Sequence, residues 1–274
     1  VSYSTQIAPM LQAKCVRWHS PGNIANWAMT NHSIVQLYAE LIRDQVLARR
    51  MPPWHADPQY GVFTNNISLT PTEVNTLLQW INDGAAKGAE PDPLTNSIAT
   101  GGFPFTWPAS LGTPDVILSI PQQRLPAFGV FVYRYLDVPT SLGSNAWLRA
   151  AVVKPGNVRV VHHCLVYTGT TSSLMGLDGF FAGYVPGADP VLYPTGTGKQ
   201  LPNGTPLRFQ MHYITTGQPE TDTTQIGLYF ATITPAAELQ TKSAYDLLSF
   251  AGLYSIPAGA AGYPAATARY TFPT

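Results

Sequence analysis

Two kinds of hydrophobic spacing divide this chain near residue 90. Before that point apolar residues recur every three or four positions, the repeat of an amphipathic helix. Residues 6–14 read as a short helix. Ile34, Leu37, Tyr38, Leu41, Ile42 and Val46 predict a longer helix over 34–50, and Val74, Leu77, Leu78 and Ile81 predict a third. The third has a marked start: Thr70 as a cap, Pro71 at the first helical position and Glu73 at the third. Gly84 supplies its stop. After the boundary the pattern changes to short apolar runs between Gly, Pro and Asn. Runs at 115–120, 129–138, 146–153, 158–168, 206–214, 225–233 and 265–272 predict strands. Many short strands at this spacing favour a β-sandwich.

The expected fold is therefore α and β in separate domains. A small all-α domain occupies residues 1–90, a linker 91–106 and an antiparallel β-sandwich 107–274. The linker reading rests on the Pro- and Gly-rich stretch around Pro91-Asp-Pro93 and Gly101-Gly102.

Composition sharpens this in two ways. Only 11% of the 274 residues are charged, the formal net charge is zero, and no Lys or Arg cluster stands out. The electrostatic footprint of a nucleic-acid binder is missing. No apolar run approaches the ~20 residues that span a bilayer. The chain begins at Val1 with no charged-then-apolar leader, which reads as a mature exported form, periplasmic or extracellular. Cys15 and Cys164 are the two cysteines, too few for a disulfide scaffold.

Two constellations carry chemistry. The first is Cys15-Val-Arg-Trp18-His19. Covalent haem needs a His to ligate iron and nearby thiols to form thioethers, in the spacing Cys-x-x-Cys-His. Cys15 and His19 stand at their places, but Trp18 occupies that of the second thiol. Three readings follow: a single thioether, a lost haem, or a cysteine at a position written as Trp. The second constellation is the adjacent pair His162-His163 within one β-run, joined by His212 in Gln210-Met-His-Tyr213 of another. Neighbours in a strand point to opposite faces, so both members of the pair reach one metal only at a sheet edge or a bulge. Three imidazoles suit copper or zinc, and copper where redox chemistry is required. Met175 and Met211 read as packing residues, with Met211 turned away from the face of His212.

The segments LQAKCVRWHSPG, RRMPPWHADP and LTPTEVNTLLQWINDGA resemble the cytochrome c module that precedes copper monooxygenase-like domains in bacterial proteins. That resemblance implies a class I cytochrome c-like domain with haem c. Cys15 would be a thioether site, His19 the proximal ligand and Met51 the distal ligand, with Met29 and His55 as weaker distal candidates. VYRYLDVPT, NVRVVHHCLVY, LRFQMHYITTG and TTQIGLYFA resemble the N-terminal half of the copper type II, ascorbate-dependent monooxygenases. This group includes peptidylglycine α-hydroxylating and dopamine β-monooxygenase. The resemblance implies a jelly-roll-like sandwich whose His162, His163 and His212 bind an electron-transfer copper. In that family a His-x-His pair and a Met hold a second copper where substrate reacts, but no His or Met follows His212 here.

Three functions follow as expectations. The first is an exported c-type haem protein for electron transfer, in which a haem in residues 1–90 would exchange single electrons with a copper in residues 107–274 or with an outside donor or acceptor protein. The second is the front part of a copper monooxygenase. The third is self-assembly into an extracellular structural or conductive filament, suggested by low charge and many aromatics.

Overall fold

The computed structural model describes residues 1–54, 56, 57, 59, 61–63, 65–88, 91–98, 106–169, 179–187, 190, 192–241, 255 and 257–260. The chain divides into two compact units, Val1–Pro104 and Phe105–Thr274. The first is helical and the second is almost entirely β. His55, Met175 and the run 265–272 lie outside the described residues.

The helical unit opens with a π-helical turn, Tyr3–Ile7, which continues into α1, Ala8–Lys14. The expected helix over 34–50 is two helices, α2 (His32–Leu37) and α3 (Ala39–Leu47). They break at Tyr38, whose backbone sits at φ −98° and ψ 10°. Its ring stacks on Trp27 at 4.2 Å, a tertiary contact that a one-dimensional pattern does not reveal. The inward face is also rotated from the expected one. Val35, Ala39, Ile42 and Val46 are buried, whereas Leu37 is 73% and Leu41 45% exposed. Helix α4 (Pro71–Asn82) starts as its sequence predicts. The Thr70 hydroxyl accepts from the Glu73 N–H at 3.2 Å, and the Glu73 carboxylate accepts from the Thr70 N–H at 2.7 Å. Gly84 follows at φ +87°, a left-handed stop that favours glycine.

The segment 91–106 does not begin as a linker. Pro93–Ile98 forms a short helix, α5, and Leu94 is fully buried in the helical core beside Leu11, Leu77 and Trp80. Asp92 fixes its start by accepting from the Tyr3 hydroxyl at 2.9 Å, the His32 N–H at 2.5 Å and the Leu94 N–H at 3.0 Å. These bonds join the chain's beginning, α2 and α5 at one buried carboxylate. Compositional Pro-Asp-Pro punctuation gave no sign of that anchoring.

The β-unit contains a five-stranded sheet, β1-β10-β4-β7-β11, and a four-stranded sheet, β3-β8-β5-β6. Here β1 is Val116–Ser119, β3 Arg134–Val138, β4 Ala146–Lys154, β5 Val161–Thr168 and β6 Phe180–Tyr184. Further on, β7 is Thr197–Leu201, β8 Leu207–Tyr213, β10 Gln225–Phe230 and β11 Ala237–Glu238. A small ribbon pairs β2 (Gln123–Leu125) with β9 (Glu220–Asp222). Among the described residues every pairing is antiparallel except β11 with β7, which is parallel and departs from the expected all-antiparallel sheet. Leu148, Leu201, Ile226 and Leu228 of one sheet and Cys164, Val166, Phe209 and Met211 of the other share one buried cluster. Each such side chain contributes about 1.5–3 kcal/mol on burial, which makes this cluster the main cohesive element of the unit. Sequence spacing missed β2, β6, β7, β9 and β11, which are short or carry polar residues.

Leu94→Ala should destabilise the helical unit by about 2–5 kcal/mol in urea unfolding, the cost of emptying a fully buried leucine site. A linker residue would lose almost nothing.

Candidate metal centre

β5 and β8 are the two central strands of the four-stranded sheet, and their register brings the histidines together. Val161 pairs with Tyr213, yet His163 pairs with His212. One extra residue, His162, is therefore inserted in β5. This bulge sets two residues of β5 against one of β8, releasing His162 from strict alternation. The ladder resumes on both sides, through Cys164 opposite Met211 and through the Ile214 N–H donating to the Val160 carbonyl at 2.9 Å.

One ring nitrogen from each of His162, His163 and His212 lies within 4.8 Å of the other two. Among the described residues no other cluster of three or more His, Cys, Asp or Glu is placed to hold a metal. Imidazole nitrogens bind such ions at about 2.0–2.1 Å, so two on one ion lie at most about 4.2 Å apart. A contraction of a few tenths of an ångström would close the set. The Nδ1 atoms of His162 and His163 face each other at 3.0 Å. His212 Nδ1 is buried with no hydrogen-bond partner. A buried ring nitrogen is normally satisfied, and this one belongs to a ring whose centroid lies 4.9 and 4.8 Å from those of His162 and His163.

Beneath the site, Met211 and Tyr213 point into the core, so Met211 packs as its position predicts. Asp222, 2% exposed, ties the surrounding elements together. One of its oxygens accepts from the Tyr213 hydroxyl and the Thr224 hydroxyl, each at 2.9 Å. The other accepts from the Asn157 N–H at 3.0 Å, at the turn that feeds β5. Burial and the neighbouring carboxylate push the Tyr213 phenol far above its ordinary pKa, so it remains a donor. Gly156 allows that turn to close, since a Cβ there would meet the Thr223 backbone at 2.6 Å.

Above the site lies Tyr133, 5.0 Å from the His212 ring and 5.7 Å from that of His163. Sequence reasoning did not single it out. Its signal was the alternation Tyr133-x-Tyr135 on a strand that pairs with β8: Arg134 opposes Met211, which puts Tyr133 level with His212.

No family model, curated protein or solved structure matches this chain.

In the helical unit the structure places a second set. The Cys15 N–H donates to the Leu11 carbonyl at the end of α1, and burial pushes the thiol up to about 12. The Cys15 carbonyl accepts from the Trp18 and His19 N–H groups at 3.0 and 3.1 Å, winding the motif into a turn. His19 Nδ1 lies 3.1 Å from the Trp27 carbonyl, and a carbonyl only accepts, so the proton sits on Nδ1 and the Nε2 lone pair is left for a ligand. That is the usual support of a metal-bound imidazole. Met29 is 3% exposed, and its N–H donates to the His19 carbonyl at 2.7 Å. Met51 is 41% exposed. The motif offers one thiol and one imidazole, where the usual covalent-haem spacing has two thiols before its histidine. A pair of thioethers does not fit, because Trp18 has no thiol. Both cysteines are free.

Partial burial, and secondarily the neighbouring His212, hold the imidazoles of His162 and His163 below the ordinary histidine value of 6.5, although one edge of His162 is open to solvent. In the metal-free protein their NMR titration midpoints should therefore lie below 6.5. The unfolded chain takes up these protons first as pH falls, so their contribution to stability is full above pH 6.5 and is lost as pH drops through the folded midpoints. Asp222→Asn should cost about 2–3 kcal/mol in chemical unfolding, because a buried charged acceptor is replaced by one that brings donors against donors.

Proposed function

We propose that the β-unit binds one copper ion through His162, His163 and His212 and serves single-electron transfer. The observation that carries this reading is the bulge at His162, which turns an adjacent histidine pair and a cross-strand histidine toward one point, with His212 Nδ1 unpaired. The ligand set is all imidazole, and within such sites Cu(II) is favoured over Zn(II) and the other first-row divalent ions. Bound copper supplies a one-electron couple.

The chain's own residues supply the rest. His163 and His212 are fixed by direct cross-strand pairing in the middle of a sheet, so their geometry is set before the ion arrives. Asp222 anchors both strands next to the bulge through Tyr213 and Asn157. Tyr133 covers one side with an aromatic ring. His162 is exposed, and offers the edge at which a redox partner protein can approach. The resemblance to the electron-transfer half of the copper monooxygenases leads to the same function.

A second reading concerns the helical unit and is favoured by the His19 Nδ1–Trp27 contact. There a c-type haem would be attached through Cys15 alone and ligated by His19, with Met51 or Met29 as the sulfur on the other side. Intact mass of the natively produced protein tests it: a haem-sized increment that survives denaturation supports the attachment, and the bare polypeptide mass rejects it.

The copper reading is tested by calorimetric titration of metal-free protein with Cu(II). One equivalent should bind saturably. Changing one of the ligating histidines should weaken binding by more than the roughly 10–100-fold that loss of a supporting contact costs, so His212→Ala should lose binding by at least about 100-fold. No stoichiometric copper, or unchanged affinity in His212→Ala, overturns it.

A further inference from the structure

Lys199 is a lysine in the wrong place for an ordinary one. It lies in β7 and is 8% exposed. Lysine is almost never buried unless it is paired. Its ammonium donates to the Phe180 carbonyl at 2.8 Å and the Thr241 hydroxyl at 2.9 Å, both neutral acceptors. The Phe180 and Phe181 rings lie 5.7 and 5.9 Å away. Among the described residues no carboxylate is within ion-pair distance of it. An ammonium carries three donors, so one remains for another acceptor. Burial holds the group below its usual pKa, as expected of a cation short of an anion.

The same residue lines a cavity of about 310 Å³. The other walls are mostly apolar, including Val153, Phe181, Ala182, Tyr184 and Leu239. One cation among mostly apolar walls is complementary to an apolar tail that ends in a single negative charge. Small-ligand cavities run from about 300 to 1,000 Å³, so this one suits a short tail. A phosphate dianion would need more than one cation to offset its desolvation, and the described lining provides Lys199 alone.

We propose that this cavity binds a medium-chain monocarboxylate, with its carboxylate on Lys199 Nζ and its alkyl tail between Phe181, Ala182, Tyr184 and Leu239. The site uses none of the three histidines and stands apart from the copper reading. Binding would replace a cation held only by neutral acceptors with a full ion pair, in an apolar setting where such a pair is strong.

The test is calorimetric titration of the metal-free protein with octanoate and, separately, 1-octanol. Absence of metal removes direct carboxylate ligation as a source of heat, and keeps the outcome independent of the copper reading. Octanoate should saturate at one equivalent and bind at least tenfold more tightly than octanol. Lys199→Met keeps the aliphatic stem and removes the charge. It should lose at least tenfold in octanoate affinity with octanol binding unchanged. Absence of saturable octanoate binding, equal affinity for octanol, or undiminished octanoate binding by Lys199→Met overturns the proposal. Should Lys199→Met not fold, the octanoate–octanol comparison on the unaltered chain decides alone.

Discussion

One extra residue in β5 is the constraint on which the histidine cluster depends. A regular strand sends neighbouring side chains to opposite faces, so a His-His pair in a regular β5 would place one ring in the core and the other outside. The shift between Val161–Tyr213 and His163–His212 removes that restriction at His162 alone. The rest of the unit holds the bulge where it is. β5 and β8 are central strands, Cys164, Met211 and Tyr213 are locked in the core, and Asp222 fastens the turn before β5 to the end of β8. A buried carboxylate with several donors is costly to leave unsatisfied. The same bonds that stabilise the sandwich therefore set the spacing of the imidazoles.

The histidines were legible in the sequence because their chemistry is rare and their residues lie within recognisable strands. The condition for using both members of the pair, a bulge or an edge, was legible too; which of the two holds was not, because register is a property of paired strands. Tyr133 shows the same limit: its closeness to His212 follows from the pairing of β3 with β8, more than 70 residues apart in sequence. In the helical unit the Thr70–Glu73 capping box was fully readable, since it is a local interaction of four residues. The rotation of α2 and α3 and the anchoring of α5 by Asp92 were not, because both arise from contacts with Trp27, Tyr3 and other distant residues. Lys199 was invisible for the same reason: a lysine among polar strand residues reads as surface until the fold encloses it.

The two candidate redox sites are unequal in physical terms. In the helical unit His19 is held by the Trp27 carbonyl and Cys15 stands four residues before it, yet Trp18 puts an indole where the covalent-haem spacing has its second thiol. Nothing in the neighbouring residues replaces that thiol, and Cys164 is buried within the β-unit core. In the β-unit the three histidines stand close enough together to hold a metal, and His212 Nδ1 among them is buried without a hydrogen-bond partner. The three histidines therefore carry the proposed copper site, and a haem at Cys15 and His19 is a separate proposal.

X-ray absorption at the copper edge, on protein loaded with one equivalent, tests the account most directly. It reports how many imidazoles surround the ion and at what distance. The bulge predicts three, at about 2.0–2.1 Å. A copper bound by one or two imidazoles would mean that His162 and His163 do not share a metal, and would contradict the account.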